Sequence, residues 1–357
     1  MPQSNPTSED PHAPAVEVII VAVAETAGSA LYGMMDVLLA TGNIWQTLTG
    51  NSPTENRFRV RILSPSRKPF ACGNGIPIRP DVSVADDPAA EIVIVPELWL
   101  EPDEHLRGRY PKLMEWIRLQ HERGSSIYSA CSGAVMLAET GLLDNCDATS
   151  HWGYQDLFRL HYPKVRFKPE PNLAFADPAG QIVTAGGTTS WHDLAIHIIS
   201  RHCSPGEALR IAKVYLLKWH GEGQLPYETL IRNNPHADSI VRSCEEWLEQ
   251  HYRESGAIPR VVEHSQLAER TLKRRFKIAT GSTLIERLQN LRVEEAKRLL
   301  ETTKVPVEEI SYEVGYEDAS FFRRLFKRLT GLTPSQYRRM FKPVLDAGSH
   351  AAEIASV

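Results

Sequence analysis

The chain has no apolar run approaching the roughly 18 residues that a membrane-crossing helix needs, so no membrane span is predicted. Cysteine is scarce: there are five in 357 residues, at positions 72, 131, 146, 203 and 244. None is spaced C-x-x-C and the number is odd, which argues against a disulfide framework and predicts a reduced, cytoplasmic protein. The opening stretch "MPQSNPTSEDPHAPA" lacks the apolar segment of a secretory leader. Its acidic residues and early prolines predict a disordered lead-in over residues 1–15. His192 and His197 are five residues apart, which is not the i, i+3 or i, i+4 spacing of a helical zinc pair. Neither a metal nor a cofactor is expected.

What is present is the composition of a globular protein, 42% hydrophobic and 24% charged. At this length two cores are expected rather than one. The net charge of -4 conceals an asymmetry. Residues 240–343 hold 20 Lys+Arg against 15 Asp+Glu, a local +5, which leaves 20 against 29, or -9, elsewhere. A basic C-terminal module on an acidic body points to a polyanion partner for one end only.

From Val16 to about Ser204 the chain alternates strand and helix patterns. "VEVIIVAVA" (16–24) is a continuous β-rich run suited to a strand covered on both faces. "FRVRILSP" (58–65), "EIVIVPELWL" (91–100), "SSIYSAC" and "GQIVTAGG" (180–187) read as further strands. Helical spacing follows in "SALYGMMDVLLATGNI", "KLMEWIRLQHERG" and "SWHDLAIHIISRHC". This alternation predicts a doubly wound α/β domain with a largely parallel sheet over 16–204. A helical connector and a Gly-, Pro- and Asn-bearing linker are expected over 205–238, then an all-helical domain over 239–343 and a tail over 344–357.

Within the helical domain two segments repeat one pattern: "LAERTLKRRFKIATGSTLIERL" (267–288) and "YEDASFFRRLFKRLTGLTPSQY" (316–337). Each has a polar entry, a basic amphipathic helix anchored by Phe276 or Phe326, a stop at Gly281 or Gly331, and a new helix. Two helix-turn-helix units joined by a long helix would set two recognition helices into successive major grooves about 34 Å apart. Leu272 and Phe276 face inward, as do Phe322, Leu325 and Phe326, leaving the basic residues outward. "VEEISYEVGYEDASFFRRLFKRLTGLTPSQYRRMF" resembles the signature of the AraC family of transcriptional regulators, through Ile310, Val314 to Tyr316, Phe326-Lys327 and Thr333 to Arg338. The resemblance implies double-stranded promoter DNA as partner. It implies DNA-binding roles for Arg270, Lys273, Arg274 and Lys277 in the first unit, and for Ser320, Arg323, Arg324 and Lys327 in the second. One departure stands out. Ala268 occupies the position where the family places a serine cap.

The N-terminal body is similar to the PfpI-like branch of the class I glutamine amidotransferases, most closely in "SACSGAVMLAETGLLDNCDATSHW" (129–152). That resemblance implies a flavodoxin-like sheet and a strand-to-helix elbow carrying Cys131. It also shows what is missing. Ser132 stands where catalytic members put histidine, and Ala30 falls where relatives hold a glutamate. The loop "VPELWL" brings Glu97 where a Gly-rich oxyanion hole is expected. His151 follows 20 residues after Cys131 and is expected on a "TSHW" strand.

The elbow is therefore read as pocket architecture without chemistry. Backbone N–H groups of Cys131 and Ser132 are expected to suit a carboxylate, and Trp99 with Glu97 a cationic head group. His151, Trp152, Trp191 and His192 complete the pocket at the carboxyl edge of the sheet. Each aromatic, taken singly, also fits core packing. The reading is a DNA-binding regulator whose N-terminal domain senses a small nitrogen-containing effector and forms a homodimer. Two alternatives stay open: a cysteine-dependent amidase tethered to DNA, and a constitutive regulator with an inert N-terminal dimeriser.

Overall fold

A computed structural model describes residues 15–230 and 236–342. The expected lead-in, apart from Ala15, the tail, and positions 231–235 of the linker lie outside them. The chain divides into two compact units, one ending at Gln224 and the other beginning at Leu225.

In chain order the first unit comprises β1 (Val16–Val21), α1 (Gly28–Leu39), α2 (Ile44–Leu48), β2 (Phe58–Ser64), β3 (Phe70–Ala71), β4 (Pro77–Ile78), β5 (Val82–Ser83) and β6 (Ile92–Val95). There follow α3 (Pro111–Glu122), β7 (Ser126–Ala130), α4 (Gly133–Thr140), β8 (Asp147–Ala148), α5 (Gln155–His161), β9 (Arg166–Phe167), β10 (Leu173–Phe175), β11 (Ile182–Ala185), α6 (Trp191–His202) and α7 (Pro205–Val214). The main sheet has seven strands in the order β10-β11-β7-β6-β1-β2-β5, and only β10 runs antiparallel to its neighbour. Alternate residues of each central strand feed opposite cores. Ile19, Val21, Val93 and Val95 meet α3, α4 and α5, whereas Val18, Ile20, Ile92 and Ile94 meet α1, α6 and α7. That two-sided burial is why these strands are continuous apolar runs.

Two differences from the sequence reading concern the α/β unit's boundaries and the loop after its central strand. The run 91–100 is a strand only over Ile92–Val95, because Pro96 cannot continue the ladder and the chain turns into a loop. The helix assigned to a connector, α7, lies in the α/β unit, with Ala208 and Ile211 buried in the core beneath α1 and α6.

The second unit contains α8 (Ser239–His251), α9 (Ala257–Ser265), α10 (Glu269–Thr280), α11 (Leu284–Thr302), α12 (Val307–Glu313), α13 (Ala319–Thr330) and a helix α14 over 334–342. It holds two cores that share α11. Leu284, Leu288 and Leu291 close a core with Val261, Leu272 and Phe276, while Val293, Ala296, Leu299 and Leu300 close another with Ile310, Phe322 and Phe326. One long helix thus carries two small helix pairs, α9–α10 and α12–α13.

Candidate nucleic-acid interface and pocket

The two helix pairs repeat the same hydrogen bonds at their turns. Gly281 and Gly331 end α10 and α13 in left-handed conformation, at φ 74 and φ 76. Thr280 Oγ1 donates to Phe276 O at 2.8 Å, and Thr330 Oγ1 donates to Phe326 O at 2.8 Å. Thr283 and Glu286 exchange hydrogen bonds at the start of α11, and Thr333 and Gln336 do the same at the start of α14. The starts of the recognition helices differ. Asp318 accepts from Ser320 N at 2.8 Å and Phe321 N at 3.0 Å, whereas Ala268 caps α10 with no side-chain bond.

All eight DNA-binding candidates are exposed on these helices. Four are held within the protein or lie beside a counter-charge. Lys273 pairs with Glu269 at 2.5 Å, Lys277 lies 3.6 Å from Glu286, and Arg323 bonds Glu308, while Ser320 N is used by the Asp318 cap. Arg270, Arg274, Arg324 and Lys327 make no ion pair among the described residues. Guanidinium groups left without a protein carboxylate are available to phosphate oxygens and guanine edges.

At the elbow Cys131 has φ 52, a left-handed conformation that costs a non-glycine residue strain. The thiol is buried, 2% exposed, and points at Glu97, with Sγ 3.6 Å from Oε1. Thr188 Oγ1 donates to the same oxygen at 3.1 Å, while Glu97 Oε2 is buried without a partner among the described residues. Glu97 reaches this place because the loops after β1 and β6 are bonded together, by Ala27 N to Glu97 O at 2.8 Å and Trp99 N to Glu25 O at 2.6 Å. Burial, and then the Glu97 charge, push the Cys131 thiol far up. Burial likewise raises the Glu97 carboxyl. Tyr154, which the sequence reading missed, donates to Leu100 O at 2.8 Å and is pushed up to about 12, by burial first and then by Cys131.

Several expectations change on this geometry. The Cys131 N–H is spent on Ala185 O at 3.0 Å, so it is not available to a carboxylate. Ser132 is fully buried, its hydroxyl engaged with both backbone polar groups of Leu98. His151 lies on no strand. It begins a short turn, its Nδ1 accepting from Gly153 N at 3.0 Å and its ring against Trp152, and among the described residues no hydrogen bond joins it to Cys131. Burial lowers its pKa. Trp99 is 54% exposed and lies on Gly73, where a Cβ would meet the indole at 2.1 Å, so it forms no cage with the buried Glu97. Trp191 packs between α6 and α1, where a Cβ on Gly33 would stand 2.5 Å from its ring. His192 stacks edge-on against Trp191 at 3.9 Å and accompanies that packing. The carboxylate that relatives were expected to supply near Ala30 comes instead from Glu97. Of the expected pocket residues, the geometry brings Cys131 onto Glu97, and it adds Thr188.

A basic double helix-turn-helix unit following an α/β unit with a nucleophile-type elbow defines a DNA-binding protein with an amidotransferase-like domain. Residues 261–340 match a helix-turn-helix domain family, and residues 42–201 match the DJ-1/PfpI family. The HTH-type transcriptional regulator CdhR of Pseudomonas aeruginosa is 27% identical over 287 residues, 79% of this chain and 82% of that protein. GlxA of Rhizobium meliloti, also an HTH-type transcriptional regulator, is 28% identical over 221 residues, 60% of this chain and 66% of that protein. The crystal structure of Drosophila melanogaster DJ-1beta aligns with 57% of this chain and 100% of its own, at 16% identity and TM-score 0.46. The chain thus combines an AraC-type helix-turn-helix domain with a DJ-1/PfpI domain, and the relatives it matches are named HTH-type transcriptional regulators. It is a transcriptional regulator with a helix-turn-helix DNA-binding domain. No helix among the described residues is long and apolar enough to cross a membrane.

Proposed function

We propose that the chain is a sequence-specific regulator that reads two successive major grooves with α10 and α13, and whose α/β unit senses a small nitrogen-containing effector and forms a homodimer. The observation that carries the DNA reading is the duplication: two recognition helices with the same stop, the same following cap, and outward arginines free of protein partners. Arg270, Lys273, Arg274, Ser320, Arg323 and Arg324 are assigned to base edges, and Lys277 and Lys327 to phosphates. The effector reading rests on the elbow, where a buried carboxylate oxygen of Glu97 has no donor. A buried acceptor in that state favours a ligand that brings hydrogen-bond donors.

The amidase alternative is disfavoured by the same atoms. A thiol whose pKa is raised, with no histidine against it, is poorly prepared for attack. Replacement of Cys131 by alanine in the full chain tests this: promoter binding is retained, and only the response to effector changes. Loss of a hydrolytic turnover would instead establish the enzyme. Sedimentation of the full chain reads the dimer directly, and a monomer at micromolar concentration overturns that part.

A further inference from the structure

After α7 the chain runs without regular secondary structure over residues 215–224, the last stretch before the DNA-binding unit. Leu216 sits at φ 54 and is 89% exposed, so packing does not hold it. At the start of this strap Tyr215 is tied to Asp36 O at 3.3 Å, and two anchors hold its end. His220 donates its backbone N–H to Asp193 Oδ1 at 3.2 Å and places Nδ1 2.9 Å from Oδ2. Gln224, only 4% exposed, points its amide nitrogen at Thr149 Oγ1 (3.1 Å), Ser150 O (2.9 Å) and Pro171 O (3.2 Å). Its backbone N–H donates to Glu170 O at 2.9 Å.

These neighbours fix the orientation of the amide. All three are oxygens, and the Thr149 proton is directed to Pro171 O at 3.2 Å, so the nitrogen end belongs there. The oxygen end, Oε1, is then buried with no donor. It stands over Gly187, where a Cβ would lie 3.4 Å both from Oε1 and from the His151 ring. At Gly186 a Cβ would stand 2.3 Å from the amide nitrogen, so the seat exists only because that residue has no side chain.

The strap is continuous with the elbow. Ser150, whose carbonyl accepts from Gln224, donates its hydroxyl to Cys131 O at 2.7 Å. Cys131 meets Glu97, and Thr188, the neighbour of Gly187, donates to Glu97. Two buried acceptors without donors among the described residues, Glu97 Oε2 and Gln224 Oε1, thus belong to the two side chains that meet the turn Gly187–Thr188.

We propose that Gln224 is both a ligand-binding residue and a latch. This rests on the sensor reading above. A ligand bearing N–H donors, such as a primary ammonium or a guanidinium, supplies the missing donors to Gln224 Oε1 and Glu97 Oε2. Its contact with Gln224 exists only while the strap is seated, so binding shifts the strap toward the seated state. The segment thus held runs directly into Leu225 and the DNA-binding unit. A quaternary ammonium has no N–H and makes neither bond.

The test is hydrogen–deuterium exchange by mass spectrometry on the full chain. In the wild type the amides of His220, Gly223 and Gln224 are protected. Gln224→Ala raises their exchange at least about tenfold and leaves β11 unchanged. Gly186→Ala, which fills the seat from the opposite side, does the same. Unprotected wild-type amides, or variants that change nothing, overturn the latch. The ligand arm uses glycine, L-arginine, putrescine and glycine betaine as probes of thermal unfolding. A primary amine or guanidinium that stabilises the wild type more than Gln224→Ala, with glycine betaine without effect, supports the ligand role. Equal stabilisation of both proteins, or a response to glycine betaine alone, overturns it. If no probe stabilises the wild type, the sensor reading fails and the ligand role with it, whereas the exchange result on the latch still stands.

Discussion

Cys131 Sγ lies 3.6 Å from Glu97 Oε1, with the cysteine 2% exposed and the glutamate 6%. Burial disfavours the thiolate, and a carboxylate at that distance disfavours it further. Iodoacetamide at neutral pH is therefore expected to label Cys131 at least about tenfold more slowly than the part-exposed Cys146. Mass spectrometry of native and unfolded protein reads the two rates. Fast native labelling of Cys131 would reopen the case for a nucleophile.

The same pair makes stability depend on pH. The Glu97 carboxyl titrates above its ordinary value of 4.5 in the folded chain, chiefly through burial, while hydrogen bonds from Thr188 and Cys131 pull it down. The folded state thus holds this proton more tightly than the unfolded one. Its contribution to stability falls as pH rises from 4.5 through the folded pKa. Glu97→Gln removes that loss. The variant's Tm relative to wild type is expected to increase from acid to neutral pH, and a difference that is flat across the range contradicts the assignment.

The two recognition helices differ at one residue that sets their starts. Ala268→Ser supplies the missing cap to α10 and is expected to stabilise the full chain by about 1 kcal/mol, whereas Asp318→Ala removes the cap of α13 and costs a similar amount. Urea unfolding followed by circular dichroism measures both. A neutral Asp318→Ala would show that its two backbone bonds contribute nothing net.

On DNA, arginines free of intramolecular partners act differently from lysines at the rim. Arg274→Ala and Arg324→Ala are each expected to cost about 1–3 kcal/mol on a selected site and to relax its base preference, while Lys327→Ala weakens all sequences alike and lowers the salt slope by about 1. Fluorescence anisotropy over a salt series separates the two behaviours. Equal, sequence-independent losses for all three would leave the arginines as phosphate contacts.

Much of this molecule was legible in the sequence because its patterns have one physical reading. A strand such as Val16–Val21 buried on both faces must be apolar throughout, and a helix that covers a core at Phe276 or Phe326 must repeat its anchor. The edge strand Leu173–Phe175 was missed because three residues carry no period. Helix α7 was legible as a helix, but its apolar stripe does not say which body it packs on. Gln224 was the harder case, since a glutamine among Gly and Pro reads as linker, whereas Glu97 was expected in the pocket but beside Trp99 and not against Cys131. Their burial arises from contacts with residues 34 and 75 positions away, Cys131 and Thr149. No local pattern records such distances.

The most direct test of the account is a footprint of the full chain on duplexes it selects from a random pool. Two protected major-groove stretches about 10 base pairs apart are expected, with Arg274→Ala relaxing the preference in one and Arg324→Ala in the other. Selection that enriches no sequence, or a single protected stretch indifferent to both variants, would contradict a regulator that reads DNA with two helices.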